Sequence, residues 1–120
     1  MVWLALIFAL SAQSTLVNLN TDTEEKLFNK TAHGVVYAVL TWLWWRALSP
    51  QRQAAWPVLG AALALTVLYG ISDEMHQYFV PGRHARVADV LFDTSGGLAM
   101  VLLLRRFYWL RAKFSPLKNL

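Results

Sequence analysis

The strongest constraint on this chain is a set of four apolar stretches, at about 2–17, 31–48, 54–73 and 87–104, joined by short polar connections. Each approaches the ~20 residues that an α-helix needs to cross a hydrocarbon layer about 30 Å thick. The first carries no charge. The second has His33 near one end and Arg46 near the other, and the third is free of charge until Asp73. The fourth is broken only by Asp89 and Asp93. Hydrophobic residues make up 57% of the 120, six of them Trp, and the mean hydropathy is +0.38. A body this small has too little interior to hide so much apolar side chain, because small globules are mostly surface. A bilayer supplies the missing interior. The expected fold is all-α, a four-helix transmembrane bundle forming one domain over 1–120.

The connections support this reading. Ser49-Pro50-Gln51-Arg52-Gln53 is a polar turn of the kind that joins antiparallel helices. Val80-Pro81-Gly82-Arg83 stops the third helix near Phe79, since the residue before a proline is steered away from helical geometry. Small residues (Gly60, Ala61, Ala62 and Ala64; Gly96, Gly97 and Ala99) predict close packing of the third helix on the fourth. With four spans, the N-terminus, the 49–53 turn and the tail share a side holding Arg46, Arg52, Arg105, Arg106, Arg111, Lys113 and Lys118. The other side holds Lys26, Lys30, Arg83 and Arg86. The excess of cations places both termini in the cytoplasm and the Pro81 loop outside. Basic residues between and beyond apolar runs, with no continuous stripe, argue for membrane lipids as partners and against nucleic acid. There is no cysteine, so neither disulfides nor thiolate metal sites hold the fold. The run Leu10-Ser11-Ala12-Gln13-Ser14 has the small residues of a signal-peptide cleavage site, but no positive segment precedes it, and the expectation is a retained first span.

Charged side chains in apolar spans cost about 2.5–3.5 kcal/mol each near a helix centre and call for a reason. Asp89 and Asp93 are four apart and share a face of the fourth helix, with Asp93 roughly 9 Å along it from Val87. On the third helix, Asp73 and Glu74 fall near Gln77 on one polar arc. On the second, His33 and Tyr37 are also four apart. In the expected topology all of these lie toward the outer face, which predicts a polar pocket among the ends of helices two, three and four.

The residues here also carry a resemblance. The run Glu74-Met75-His76-Gln77-Tyr78-Phe79-Val80-Pro81-Gly82-Arg83, followed by Asp89-Val90 and Gly96, resembles the signature of the VanZ-like family of small bacterial membrane proteins. Upstream, Lys30-Thr31-Ala32-His33 with Tyr37 is similar to that family's other recurrent motif. The resemblance covers about 29–104. Asn29 stands where the family usually has an acid, and Asp93 where it usually has an asparagine. The resemblance implies a multi-pass protein of the bacterial cytoplasmic membrane and the cell envelope. It also implies a link to resistance to glycopeptide antibiotics of the teicoplanin type. It supplies no reaction.

The candidate ligand-binding residues are Glu74, Gln77, Arg83, Asp89, Asp93, His33 and Tyr37. Arg83 can clamp an anion with two parallel hydrogen bonds, or lock the loop by pairing with Glu74 or Asp89. Asp89 and Asp93 are too few for a metal site by themselves and fit a helix–helix hydrogen-bond network. His76 and His84 are expected to face solvent, and Gln77 to tie the third helix to the fourth. No metal or cofactor is expected. Three functions remain open. The first is a non-catalytic protein that recognises an anionic or peptidic envelope component, such as a lipid-linked precursor, or a glycopeptide. The second is an enzyme on a lipid phosphate or envelope ester, with Glu74 or His33 as catalytic proton carrier and Arg83 stabilising charge. The third is a structural or assembly subunit in which the polar cluster specifies helix pairing.

Overall fold

The computed structural model describes residues 2–12, 22–82 and 86–115. Among these the chain forms α-helices and no strand: α1 (Val2–Ala12), α2 (Asp22–Leu48), α3 (Trp56–Tyr78) and α4 (Val87–Lys113). At about 1.5 Å per residue, α3 and α4 are roughly 35 and 40 Å long, and both are long and apolar enough to cross a membrane. The described part of α1 has 11 residues, about 17 Å, which falls short of a crossing. The remainder of the expected first span lies outside the described residues.

Local chemistry sets the helix ends. Pro57 sits in the first turn of α3, where a missing N–H removes nothing the helix would use. At the other end Phe79 donates its N–H to the His76 carbonyl at 3.0 Å and Val80 donates to Gln77 at 3.1 Å. Pro81 and Gly82, the latter at φ +80°, then carry the chain out of the helix, as the proline predicts. The 49–53 turn is closed by side chains. Ser49 Oγ accepts the Gln53 N–H at 2.7 Å, while Trp45 Nε1 donates to the Gln53 carbonyl at 3.0 Å. Two helices outrun their apolar stretches. α2 begins at Asp22 and α4 continues to Lys113, because the flanking Glu, Lys, Leu and Arg are helix formers, so the helix can run on beyond the apolar stretch.

The three long helices pack against one another, α3 running antiparallel to α2 and α4, which are parallel, and α1 lies against α2 and α3. One apolar cluster, around Trp45, Leu59, Ala62, Val101 and Leu104, fills the end near the 49–53 turn. A second, around Ile7, Tyr37 and Leu40, seats α1. Two side chains hold α1 through its neighbours' or its own backbone. Trp3 Nε1 donates to Val36 O at 3.3 Å, and the Tyr69 hydroxyl donates to Leu4 O at 2.7 Å.

α3 packs on α4 as expected, but a closer backbone approach lies elsewhere. It joins α2 to α4: a Cβ at Gly96 would run into the Gly34 carbonyl, 2.8 Å from its carbon and 3.0 Å from the Gly34 Cα. Gly97 lies over Thr41 of α2 and Leu63 of α3. On α3, Gly60, Ala61 and Ala64 are exposed, so most of the small residues there face outward, with Ala62 buried. A glycine in contact with backbone excludes lipid where a larger residue would hold the helices apart. Below this crossing, the hydroxyls of Thr41 and Thr66 meet at 2.8 Å between α2 and α3. Each also back-bonds its own helix, to Tyr37 O and Ala62 O at 3.0 Å.

Candidate functional site

At the Pro81 end of the bundle, α2, α3 and α4 each contribute polar side chains to one buried cluster. Asp73, four residues before Gln77 on α3, stands at its centre. Its Oδ2 accepts the Tyr37 hydroxyl from α2 at 3.3 Å and the Gln77 amide Nε2 at 3.3 Å. Both bonds are longer than the usual range, so each is weak and the oxygen is shared. Tyr37 can lie there because Gly70 leaves room for its ring; a Cβ at Gly70 would stand 3.3 Å from Tyr37 Cε1. Glu74 Oε2 accepts the backbone N–H of Arg86, just before α4, at 3.2 Å. That contact ties the end of α3 to the start of α4.

Across the α2–α4 crossing, His33 Nδ1 lies 3.7 Å from Asp93 Oδ1. The gap is electrostatic contact rather than a hydrogen bond. The His33 ring stacks near Tyr37, with centroids 6.5 Å apart and planes at 19°. Asp93 is also within electrostatic reach of Glu74, Asp73 and Asp89. Tyr37, Asp73, Glu74, Gln77 and Asp93 are all buried, the most exposed at 8%, whereas the His33 side chain keeps 24% of its surface. One turn before His33, Asn29 buries Oδ1 without a hydrogen-bond partner. Lys30 Nζ sits 4.7 Å from the centre of the Phe92 ring of α4.

Of the sequence-predicted residues, His33, Tyr37, Glu74, Gln77 and Asp93 come together here. Asp89, one turn from Asp93, is half-buried at the margin. Arg83 and His84 lie outside the described residues. Gln77 corrects an expectation, since its amide bonds to Asp73 on its own helix and not to α4. His76 is half-buried. The residue that sequence reasoning undervalued is Asp73. Its i, i+4 spacing to Gln77 was legible, but the hydroxyl that faces it comes from position 37, which no local pattern connects to it. Among the described residues, no group of three or more His, Asp or Glu is arranged to hold a metal ion.

Such a cluster can bind donors and acceptors together. Carboxylates receive ammonium or hydroxyl groups, the imidazole gives or takes a proton, and the phenol and amide keep their neighbours in place. No curated protein and no solved structure matches the chain. The polar end just described is built from the two motifs on which the resemblance rests, and the family described as VanZ/LLP1 matches over residues 1–110. The chain belongs to the VanZ/LLP1 family.

Proposed function

We propose that this VanZ-like membrane protein spans the bacterial cytoplasmic membrane four times with both termini inside. In this reading its polar end faces outward and recognises a peptidic or anionic component of the cell envelope without catalysing a reaction. The observation that carries the reading is the His33–Asp93 contact at 3.7 Å, set beside buried Asp73 and Glu74. A buried carboxylate costs free energy in an apolar span unless it is compensated. Here the compensating imidazole stands just beyond hydrogen-bond range and stays partly exposed. A ligand's ammonium or hydroxyl group is a fitting partner for these carboxylates, and in this reading Arg83 would supply the complementary charge for a carboxylate or phosphate. A muramyl peptide on a lipid carrier offers both kinds of group, as does a glycopeptide antibiotic of the teicoplanin type. Sequestration or altered handling of either would link the protein to resistance.

The test is binding of a lipid-linked muramyl peptide, and separately of teicoplanin, to the full chain in lipid nanodiscs. Arg83→Ala and Asp93→Asn should each lose binding at least tenfold while the melting temperature holds. Equal binding by both folded variants would refute the reading.

A second reading has its own support. Asp73 is shared by Tyr37 of α2 and Gln77 of α3, and Glu74 ties α3 to the start of α4. A cluster serving helix pairing alone would have this form. Conservative changes at Glu74, Arg83 and Asp89 would then lower stability together, with no change in any ligand's affinity.

A further inference from the structure

The acids of this chain are confined to one end, while cations occur at both. Its seven Asp and Glu all fall at 22–25, 73–74 and 89–93, toward the Pro81 end of the helices. At the opposite end, the close of α2, the 49–53 turn and the second half of α4 present Arg46, Arg52, Arg105, Arg106, Arg111 and Lys113, every one exposed. No acid accompanies them. Four of these cations lie against aromatic rings. Arg46 Cζ is 4.9 Å from the centre of the Trp42 ring, and Arg105 Cζ is 5.0 Å from that of Trp56. Farther along α4, Arg111 Cζ is 5.8 Å from the Phe107 ring and Lys113 Nζ is 5.0 Å from Trp109.

Arg105 also fixes the level of this surface, because its Nη1 donates to the Ala54 carbonyl at 2.9 Å, beside the start of α3. From there α4 runs on to Lys113, about 12 Å past that level at 1.5 Å per residue. The headgroup layer adds only about 5–8 Å beyond the hydrocarbon on each face. With that level set at the edge of the hydrocarbon, the projecting part of α4 would cross the layer where lipid phosphates lie, carrying both rings and cations. Aromatic rings settle between tails and headgroups. A guanidinium held over a ring still offers its in-plane N–H groups to a third partner, and Arg105 commits only one of its five to Ala54.

We propose that this end of the bundle is a docking surface for anionic phospholipid headgroups, with Arg46, Arg105, Arg111 and Lys113 as the cations that hold the phosphates. Charge complementarity selects the partner: a one-signed cationic rim beside a bilayer whose anionic lipids carry exposed phosphate. The proposal is independent of what the opposite end recognises.

Purified full-length protein in micelles, offered equal amounts of phosphatidylglycerol and phosphatidylcholine, is read by native mass spectrometry. The wild type should retain the anionic lipid several-fold over the neutral one. Each neutralised cation should lower that preference by about fivefold until it vanishes, so the combined Arg46→Gln, Arg105→Gln, Arg111→Gln and Lys113→Gln variant should show none. Lys30→Gln, at the other end, should keep it. Working in micelles separates lipid binding from any change of topology. Should the combined variant unfold, a salt titration of the wild type decides, since the preference must fall as the Debye length shrinks from about 10 Å at 0.1 M to about 3 Å at 1 M. Equal retention of the two lipids by the wild type, a preference unmoved in the folded combined variant, or a flat response to salt would overturn the proposal.

Discussion

Gly34 and Gly96 meet at the α2–α4 crossing, yet alanine at the two positions should have opposite effects. A Cβ at Gly34 meets nothing within 4 Å. There the substitution acts only through helix propensity, which favours alanine by about 1 kcal/mol in a helix interior. A Cβ at Gly96 collides with Gly34 backbone, which cannot rotate away as a side-chain tip can. Bringing the Gly34 carbonyl carbon from 2.8 Å to ordinary contact at 3.4 Å needs at least 0.6 Å of helix separation, and its oxygen needs more. That shift stretches the His33–Asp93 contact and lifts Gly97 off Thr41, so the cost belongs at the upper end of the roughly 1–3 kcal/mol typical of overpacking. Set against the propensity gain, Gly96→Ala should be less stable by about 1–2 kcal/mol. Gly34→Ala should be neutral or more stable by up to about 1 kcal/mol. The assay is reversible unfolding in mixed micelles with increasing sodium dodecyl sulfate, followed by helical circular dichroism. Equal shifts for the two variants, or a neutral Gly96→Ala, would refute the crossing as described.

Three further outcomes follow from the same contacts. Tyr37→Phe removes one of the two weak donors to Asp73 and should cost about 1 kcal/mol in the same unfolding assay, with Asp73→Ala costing more because it strands both Tyr37 and Gln77. A double-mutant cycle on His33→Ala and Asp93→Asn should return a coupling of about 0.5–1 kcal/mol, and a value near zero would mean that the 3.7 Å contact contributes nothing. Trp3→Phe with Tyr69→Phe should release α1 from the bundle. Since the chain has no cysteine, a pair introduced at Leu4 and Val36 reports this directly as slower disulfide cross-linking.

The helices were legible because bilayer-length apolar runs and proline punctuation are local signals. The end of α3 shows this. Pro81 acts on the residue before it, so the boundary can be placed from a dipeptide. The start of α2 and the end of α4 were not, because hydropathy marks where an apolar run ends and a helix can continue into water. Asp22 to Lys30 and the residues after Leu104 are more polar than the apolar runs beside them and still helical by propensity. Which helices touch most closely was also hidden. Gly60 and Gly96 look alike in sequence, and only the rotation of each helix about its axis decides that one faces outward and the other meets Gly34.

The site was legible to the extent that charge in an apolar span demands compensation, which singled out Asp93, Glu74 and His33 before any contact was known. What it could not supply was pairing. Asp93 takes His33 from α2, although Asp89 and Glu74 are nearer in the motif, because the Gly34–Gly96 crossing brings the first turns of α4 against that face of α2. The position that departs from the family pattern therefore acquires its meaning from the crossing. An asparagine at 93 would leave His33 beside a neutral amide, whereas the carboxylate found here gives the imidazole a charge to answer. Asn29, one turn before His33 on α2, contributes a buried, neutral Oδ1 to the same end of the bundle.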